Sequence, residues 1–305
     1  MMKNILIAGG SGLIGKQLTK LLIHKGYSVG WLTHSAITPS SSVQLFRWNL
    51  ENEHIDKEAI DFADAIINLA GTGIAEKPWT AKRKQEIVNS RVNSIELLMA
   101  SIKASAKQLH CFVSASAIGY YGNKGDKIVF ENEEPAADFL GQCCITWENA
   151  ADEVSKLNIR TVKLRTGIVL SKQGGALPKI LRPLKLGLGA ALGNGNQWMS
   201  WIHIVDLCNM YIYAIENQDL TGTFNATAPN PVTNFQFNKI IAESLNKSIW
   251  LPNVPEFVLS IALGNRKQLL LDSTRCSSRA IAQTGFKFSY PEFDKAIKQL
   301  LSSSV

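Results

Sequence analysis

The chain has 305 residues, 46% of them hydrophobic, and a formal charge of +7 at pH 7. That apolar share excludes a disordered chain and supplies a large core, in one domain or two fused layers. No apolar run reaches the roughly 20 residues that a membrane helix needs. Five cysteines without a Cys-x-x-Cys spacing argue against a metal or disulfide framework and fit reduced thiols; Cys143 and Cys144 are adjacent. Lys and Arg are scattered, and the short run Lys82-Arg83-Lys84 reads as a solvated helix face, so neither nucleic acid nor membrane is an expected partner. Met2-Lys3 leads straight into apolar sequence without a signal-peptide pattern, which sets the expected location as the cytoplasm.

The first element is a short apolar strand, Asn4-Ile5-Leu6-Ile7. Ala8-Gly9-Gly10-Ser11-Gly12-Leu13-Ile14-Gly15 follows it. Ile14, Leu18, Leu21 and Leu22 then mark one face of a helix that Gly26 ends. Strand, glycine turn and helix form the context in which Gly-x-Gly-x-x-Gly binds a dinucleotide. Gly10 is expected to permit the tight turn, Gly12 the approach of a pyrophosphate, and Gly15 close packing of helix on sheet. The free N–H groups of the helix N-terminus face the phosphates. Further strands are expected at Ser28 to Thr33, Val43 to Arg47, Ala65 to Leu69, Cys111 to Ser114 and Arg160 to Arg165. Helices are expected near Ala59, over Thr80 to Lys103 and over Phe139 to Lys156. This alternation predicts an α/β fold, a Rossmann-type doubly wound parallel sheet with its ligand beyond the C-terminal strand ends.

Near Leu170 the rhythm changes to glycine-rich loops. A strand over Trp198 to Ile204, a helix from Asp206, a strand near Phe224, a capping box at Thr233-Asn234-Phe235-Gln236 and a mainly helical tail from Trp250 to Leu301 follow. The expected division is a dinucleotide-binding domain over 1–170, with later segments able to return to it, and a smaller α+β or helical substrate lobe over 171–305. A small C-terminal domain begins near 250, and the cleft between lobes is the substrate site.

The glycine signature resembles that of the extended short-chain dehydrogenase/reductases. Asn68-Leu69-Ala70-Gly71, Asn93, Ser114-Ala115-Ser116, Leu164-Arg165-Thr166-Gly167 and Trp201-Ile202-His203-Ile204-Val205-Asp206 occur in that family's order. A narrower likeness, to the atypical subgroup labelled "epimerase family protein", rests on several segments. They are Trp79-Thr80 with Arg83-Lys84-Gln85-Glu86-Ile87, Ser90-Arg91-Val92, Ser114 through Gly122, Asn225 through Asn234, and Gly285-Phe286-Lys287-Phe288-Ser289-Tyr290-Pro291. The resemblance spans essentially the whole chain. It departs at the catalytic pair: where the extended family carries Tyr-x-x-x-Lys in the helix after the fifth strand, alignment on Trp147-Glu148 puts Leu140 and Cys144. Neither can relay a proton as a tyrosine beside a lysine does.

The resemblance implies that Ser116 contacts a substrate carbonyl or hydroxyl. Tyr120 or Tyr121 is the candidate replacement acid, against core packing with a locally satisfied hydroxyl. Cys144 reads as a buried thiol rather than a nucleophile. His203 and Asp206 read as structural groups at a strand-to-helix junction, and Trp79, Trp198 and Trp201 as packing or an aromatic wall. The expected cofactor contacts are Gly9, Gly10, Ser11, Gly12, Leu13, Ile14 and Gly15; Thr33, His34 and Ser35 after the second strand; Asn49 and Leu50 after the third; Leu69, Ala70 and Gly71; and Ser114 and Arg165. Arg165 alternatively forms a structural ion pair. No carboxylate follows the second strand to hold a ribose 2′-OH or repel a 2′-phosphate, so NADP(H) is favoured over NAD(H). No metal site is expected. The implied function is hydride transfer by an NADP(H)-binding oxidoreductase or epimerase on a small polar, sugar-like or nucleotide-sugar molecule. The alternative is an NADP(H)-sensing binding protein without turnover. Oligomeric state is left open.

Overall fold

A computed structural model describes residues 2–34 and 42–302. Its strands are β1 (Asn4–Ala8), β2 (Ser28–Thr33), β3 (Val43–Asn49), β4 (His54–Ile55), β5 (Ala65–Asn68), β6 (Cys111–Ala117), β7 (Ile128–Val129), β8 (Arg160–Thr166), β9 (Ile168–Leu170), β10 (Trp198–Met199), β11 (Trp201–His203), β12 (Gly222–Ala226), β13 (Val232–Thr233) and β14 (Arg275–Cys276). Eight of them form one sheet in the order β12-β8-β6-β5-β1-β2-β3-β4. Every pair in it is parallel except β3–β4. The order runs outward on both sides of β1, so the strand direction of travel reverses there and leaves a crevice at the C-terminal ends of β1 and β5.

The central strands are apolar on both faces because helices cover both. In β1, Ile5 and Ile7 point into one core with Leu18 and Leu22 of α1 (Leu13–His24) and with Leu207, Met210 and Tyr211 of α6 (Ile204–Glu216). Leu6 and Ala8 point into the opposite core. There they meet Ala59 and Ile60 of α2 (Lys57–Phe62), Ile95 and Leu98 of α3 (Ala81–Ala104), and Trp147 and Val154 of α4 (Phe139–Ser155). Thr80 caps α3 and Asp138 caps α4, their side chains accepting from the N–H groups of Arg83 and Gly141.

Beyond residue 170 the chain serves two places. α6 and β12 return to the sheet, β12 pairing with β8. A separate core joins Leu177, Leu181 and Leu184 of α5 (Ala176–Lys185), Phe237 and Ile241 of α7 (Asn234–Ser244), and Phe293, Ala296, Ile297 and Leu300 of α11 (Phe293–Ser302). The spacing within α11 is i, i+3, i+4, i+7, one helical face. α8 (Glu256–Leu263), α9 (Gln268–Leu271) and α10 (Arg279–Gln283) complete the tail. Thr233 and Gln236 form the expected reciprocal capping box of α7.

The strand expected over Trp198 to Ile204 is two strands. β10 pairs antiparallel with β13, and β11 pairs parallel with β9. They part at Ser200, whose hydroxyl donates to Thr274 O and accepts from Cys276 N, tying this point to a third segment. α6 begins at Ile204 rather than Asp206, because the ring of His203 accepts from Val205 N and caps it.

Candidate functional site

The glycine turn brings β1, α1 and the end of β5 together. The position requiring positive φ is Gly9 (φ 85°), not Gly10 as expected, and a side chain on Gly9 would lie 2.9 Å from the carbonyl carbon of Leu69. Gly10 is held to glycine by a different neighbour, the Trp31 indole, 2.3 Å from where a Cβ would stand. A Cβ on Gly15 would fall 2.4 Å from Gly9 O, so helix and turn touch backbone to backbone there. Gly12 caps α1 without a side-chain hydrogen bond, and the first turn carries no acidic residue. Its N–H groups and their partial positive charge are therefore left to an anion.

A cavity of about 630 Å³ opens at this turn and runs over the C-terminal ends of the strands. Gly9, Gly12, Leu13, Ile14 and Gly15 line one end, with Leu69 and Gly71 after β5, Ser116 on β6, Thr166 at the end of β8 and Gly167 after it. The far end is walled by Ile74, Ile118, Leu140, Cys143, Cys144 and Trp147, and by Leu269, Leu270 and Asp272 of the C-terminal tail. The glycine cradle and the uncapped helix start fit the pyrophosphate of a dinucleotide at the first end. Leu140 and Cys144, one helical turn apart on α4, both line this cavity.

Other expected cofactor residues are not among those lining this cavity. Ser11 is exposed at the turn, Thr33 ends β2 and His34 follows it; Ser35 lies outside the described residues. The side chain of Asn49 accepts from the N–H groups of Glu51 and Asn52, and Leu50 packs on the second core. Ala70 N donates to Asn68 Oδ1, and the Ser114 hydroxyl donates to Ala115 O. Asn93 is exposed, and its neighbour Ser94 is the buried partner of Asn68, at 3.1 Å.

Arg165 does not line the cavity. Its Nε and Nη2 donate to the two oxygens of Glu148, each at 2.8 Å, and its Nη1 donates to Tyr121 Oη and Glu131 O. Burial would lower the pKa of the guanidinium, but the Glu148 hydrogen bonds and charge outweigh that and raise it. Tyr121 is fully buried; its hydroxyl donates to Asn225 Oδ1, and burial raises its pKa. The Arg165 Cζ lies over the Tyr120 ring, 3.4 Å from its centroid. Neither tyrosine reaches the cavity, because Arg165 holds both on its own side.

Ser116 does line the cavity, and its hydroxyl donates to Glu148 Oε1 at 2.6 Å. With its single proton committed, it offers the cavity lone pairs only. Cys144 Sγ donates to Ala117 O, and burial pushes its thiol up to about 12, so it carries no thiolate at neutral pH. His203 is buried; its Nε2 meets Gln299 Oε1, its ring stacks on Tyr290, and burial lowers its pKa. Asp206 accepts from the N–H groups of Ser289 and Tyr290. Of the tryptophans singled out, only Trp198 lines the cavity. Trp79 donates to Ile74 O, and Trp201 is buried and donates to Asn230 O.

Two charged cavity residues escaped the sequence. Arg91 sits over the Trp147 ring at 4.9 Å and donates to Thr72 O and Ile87 O. It falls between the buried Ile87 and Ser94 on one face of α3, and a cation on an inward face was the available signal. Asp272 follows α9 and has no local pattern to mark it. Burial, and then the charge of Asp138, raise its carboxyl to about 6. Among the described residues, no His, Cys, Asp and Glu cluster could hold a metal ion, and no helix is long and apolar enough to cross a membrane.

A reversing parallel sheet, a glycine turn on an uncapped helix and a cavity across the strand ends define a Rossmann-type nucleotide-binding protein of the short-chain dehydrogenase/reductase kind. The chain belongs to the NAD dependent epimerase/dehydratase family, whose model matches residues 5–227; residues 254–300 match a domain of unknown function, DUF1731. The epimerase family protein YfhF of Bacillus subtilis is 36% identical over 301 residues, 98% of each chain. The human epimerase family protein SDR39U1, solved with NADPH, superposes with a TM-score of 0.86 at 28% identity over 99% of this chain and 100% of that one. A nucleoside-diphosphate sugar epimerase from Corynebacterium glutamicum matches with a TM-score of 0.79 and 30% identity, covering 98% of this chain and 58% of that one.

Proposed function

We propose that this protein is an NADP(H)-dependent oxidoreductase or epimerase of the atypical extended class. The observation that carries it is the single cavity joining the glycine turn to Ser116 and to the C-terminal tail. Bound there, NADP(H) supplies or accepts a hydride at its nicotinamide C4. Gly9, Gly12 and the start of α1 receive the pyrophosphate, and His34, with no carboxylate near it in sequence, receives the 2′-phosphate. Leu140, Cys144, Ile74, Ile118 and Leu269 exclude water from the reacting end and pack a small carbonyl or hydroxyl compound. Ser116 accepts a hydrogen bond from a hydroxyl of that compound, its own proton being held by Glu148. The full set of hydroxyls of a nucleotide sugar finds few partners on so apolar a wall, which favours a compact substrate. The cofactor at NADPH in the human relative agrees with the choice of NADP(H).

The test is nicotinamide absorbance with NADPH against nucleotide sugars and small aldehydes and ketones in parallel. Tight NADPH binding without turnover of any of them overturns the reading. One observation favours a second reading, an NADP(H)-sensing protein: Leu140 and Cys144 replace the proton relay. That reading predicts partner proteins captured only in the presence of NADPH, and identical capture without it refutes it.

A further inference from the structure

We propose that Asp272, contributed by the C-terminal tail, is the acid–base residue of the cavity and does the work of the absent tyrosine. This rests on the hydride-transfer reading of the same site.

The first ground is position. Asp138 caps α4 two residues before Leu140, which the resemblance sets at the tyrosine's position. Gln268 Nε2 reaches Asp138 Oδ2, and Asp272 N donates to Gln268 O, so α9 is pinned to the start of α4. Asp272 and Leu140 thereby line one cavity with Ser116. The second ground is elimination. Four of the five cavity hydroxyls, those of Ser116, Thr166, Ser200 and Thr274, already donate to Glu148, Leu164 O, Thr274 O and Gly122 O, and the fifth, on Thr72, is an aliphatic alcohol and no acid at neutral pH. Cys144 is occupied by Ala117 O, and both tyrosines lie elsewhere. Asp272 is the one carboxyl among the described lining residues, and no hydrogen bond or ion pair to its side chain is made there. Its carboxyl near 6 keeps a transferable proton close to neutral pH.

In the reducing direction the substrate carbonyl carbon takes a hydride from nicotinamide C4 while its oxygen takes the Asp272 proton. The C=O π bond breaks, an alcohol forms, the substrate gains two electrons and the cofactor loses them. Asp272, left as carboxylate, regains a proton from solvent through a second cavity of about 270 Å³. That cavity Asp272 lines together with Asn123, Asn194 and Gln197. Oxidation runs the same transfers backward, with the carboxylate as base. The charged groups around Asp272 are Asp138 at the start of α4, Arg91 across the cavity, and Glu256 with its partner Lys267 in the second cavity.

The experiment compares wild type, Asp272→Asn and Asp272→Glu for NADPH oxidation with acetaldehyde, benzaldehyde and 1-phenyl-1,2-propanedione. Folding is checked by NADPH affinity and melting. The expected result is a loss of about 100-fold or more in kcat for Asp272→Asn with NADPH affinity unchanged, and partial return in Asp272→Glu. Wild-type reduction slows as pH rises above about 6, and the residual rate of Asp272→Asn does not follow pH there. Turnover equal in wild type and Asp272→Asn overturns the assignment and leaves the hydride reading standing. Absence of turnover in wild type overturns both. A structure of the NADPH complex gives a readout apart from activity: a carboxyl too far from nicotinamide C4 for one carbonyl group to bridge them overturns the assignment.

Discussion

Ser116 Oγ stands 2.6 Å from Glu148 Oε1, and the same carboxylate takes Arg165 in a two-pronged ion pair at 2.8 Å on each oxygen. The serine hydroxyl is aimed by a group that belongs to the core. Arg165 and Glu148 are both buried, and the pair fixes how β8 sits beside α4. Its role is to hold the Ser116 wall of the cavity in shape.

Breaking that pair tests the role. Removing one partner strands a buried charge, at a cost of about 3–5 kcal/mol. Arg165→Met is expected to lower unfolding stability by that amount in urea titration. NADPH affinity at low temperature is expected to stay within a factor of two of wild type, since Arg165 does not line the cavity. A large loss of NADPH affinity in a variant that remains folded would show the arginine on the cofactor after all.

The glycines separate into fold and ligand roles. Gly15→Ala places a Cβ 2.4 Å from Gly9 O and 2.6 Å from Gly10 Cα, where only backbone could yield, so the expected outcome is poor folding. Gly12→Ala meets only Gly9 O, at 3.3 Å, in an ordinary extended conformation. That variant is expected to keep its melting temperature within a few degrees while NADPH binding weakens about tenfold or more, roughly 1.4 kcal/mol, because the methyl group occupies the phosphate approach. Equal loss of stability in both variants would contradict the division.

What the sequence made legible was whatever rests on local pattern. β1 is apolar from Ile5 to Ala8 because both its faces are covered, and Thr233 with Gln236 announces α7 three residues apart. The cofactor end of the site is one such contiguous stretch. The other end of the cavity and the core behind it are assembled from residues far apart in sequence: Ser116 with Glu148, Tyr121 with Asn225, and Asp272 folded back beside Asp138. Tyr121 reads as a candidate acid until its hydroxyl is seen to donate to Asn225, 104 positions on. Ser200 splits an apparently continuous strand through bonds to Thr274 and Cys276, which no spacing rule foretells.

The proposed seat of the 2′-phosphate is the end of β2. His34→Asp places a carboxylate where the residues after that strand carry none. A carboxylate there repels a 2′-phosphate and accepts from a ribose 2′-OH. The NADPH-to-NADH affinity ratio is expected to fall by about tenfold or more in fluorescence titration, about 1.4 kcal/mol of discrimination. An unchanged ratio would remove His34 from the cofactor site.

Asp272 also leaves a mark on stability, and its sign can be worked out. Its carboxyl is raised to about 6 in the folded protein, first by burial and then by the charge of Asp138. The unfolded value is about 3.9. A raised carboxyl contributes stability that is fully present below pH 4 and is lost as pH rises through about 6. Asp272→Asn removes the titration, so at pH 7.5 the variant is expected to be more stable than wild type. The side chain is only partly buried, and solvent screening reduces the gain to about 1 kcal/mol. Urea unfolding across pH 4 to 8 is the measurement: the gap between the two proteins should open between pH 4 and pH 6 and stay constant above pH 7. A gap independent of pH would mean that Asp272 is an ordinary surface carboxylate. A gap that opens as expected, together with lost turnover, would show a charged group kept at the site at the expense of the fold.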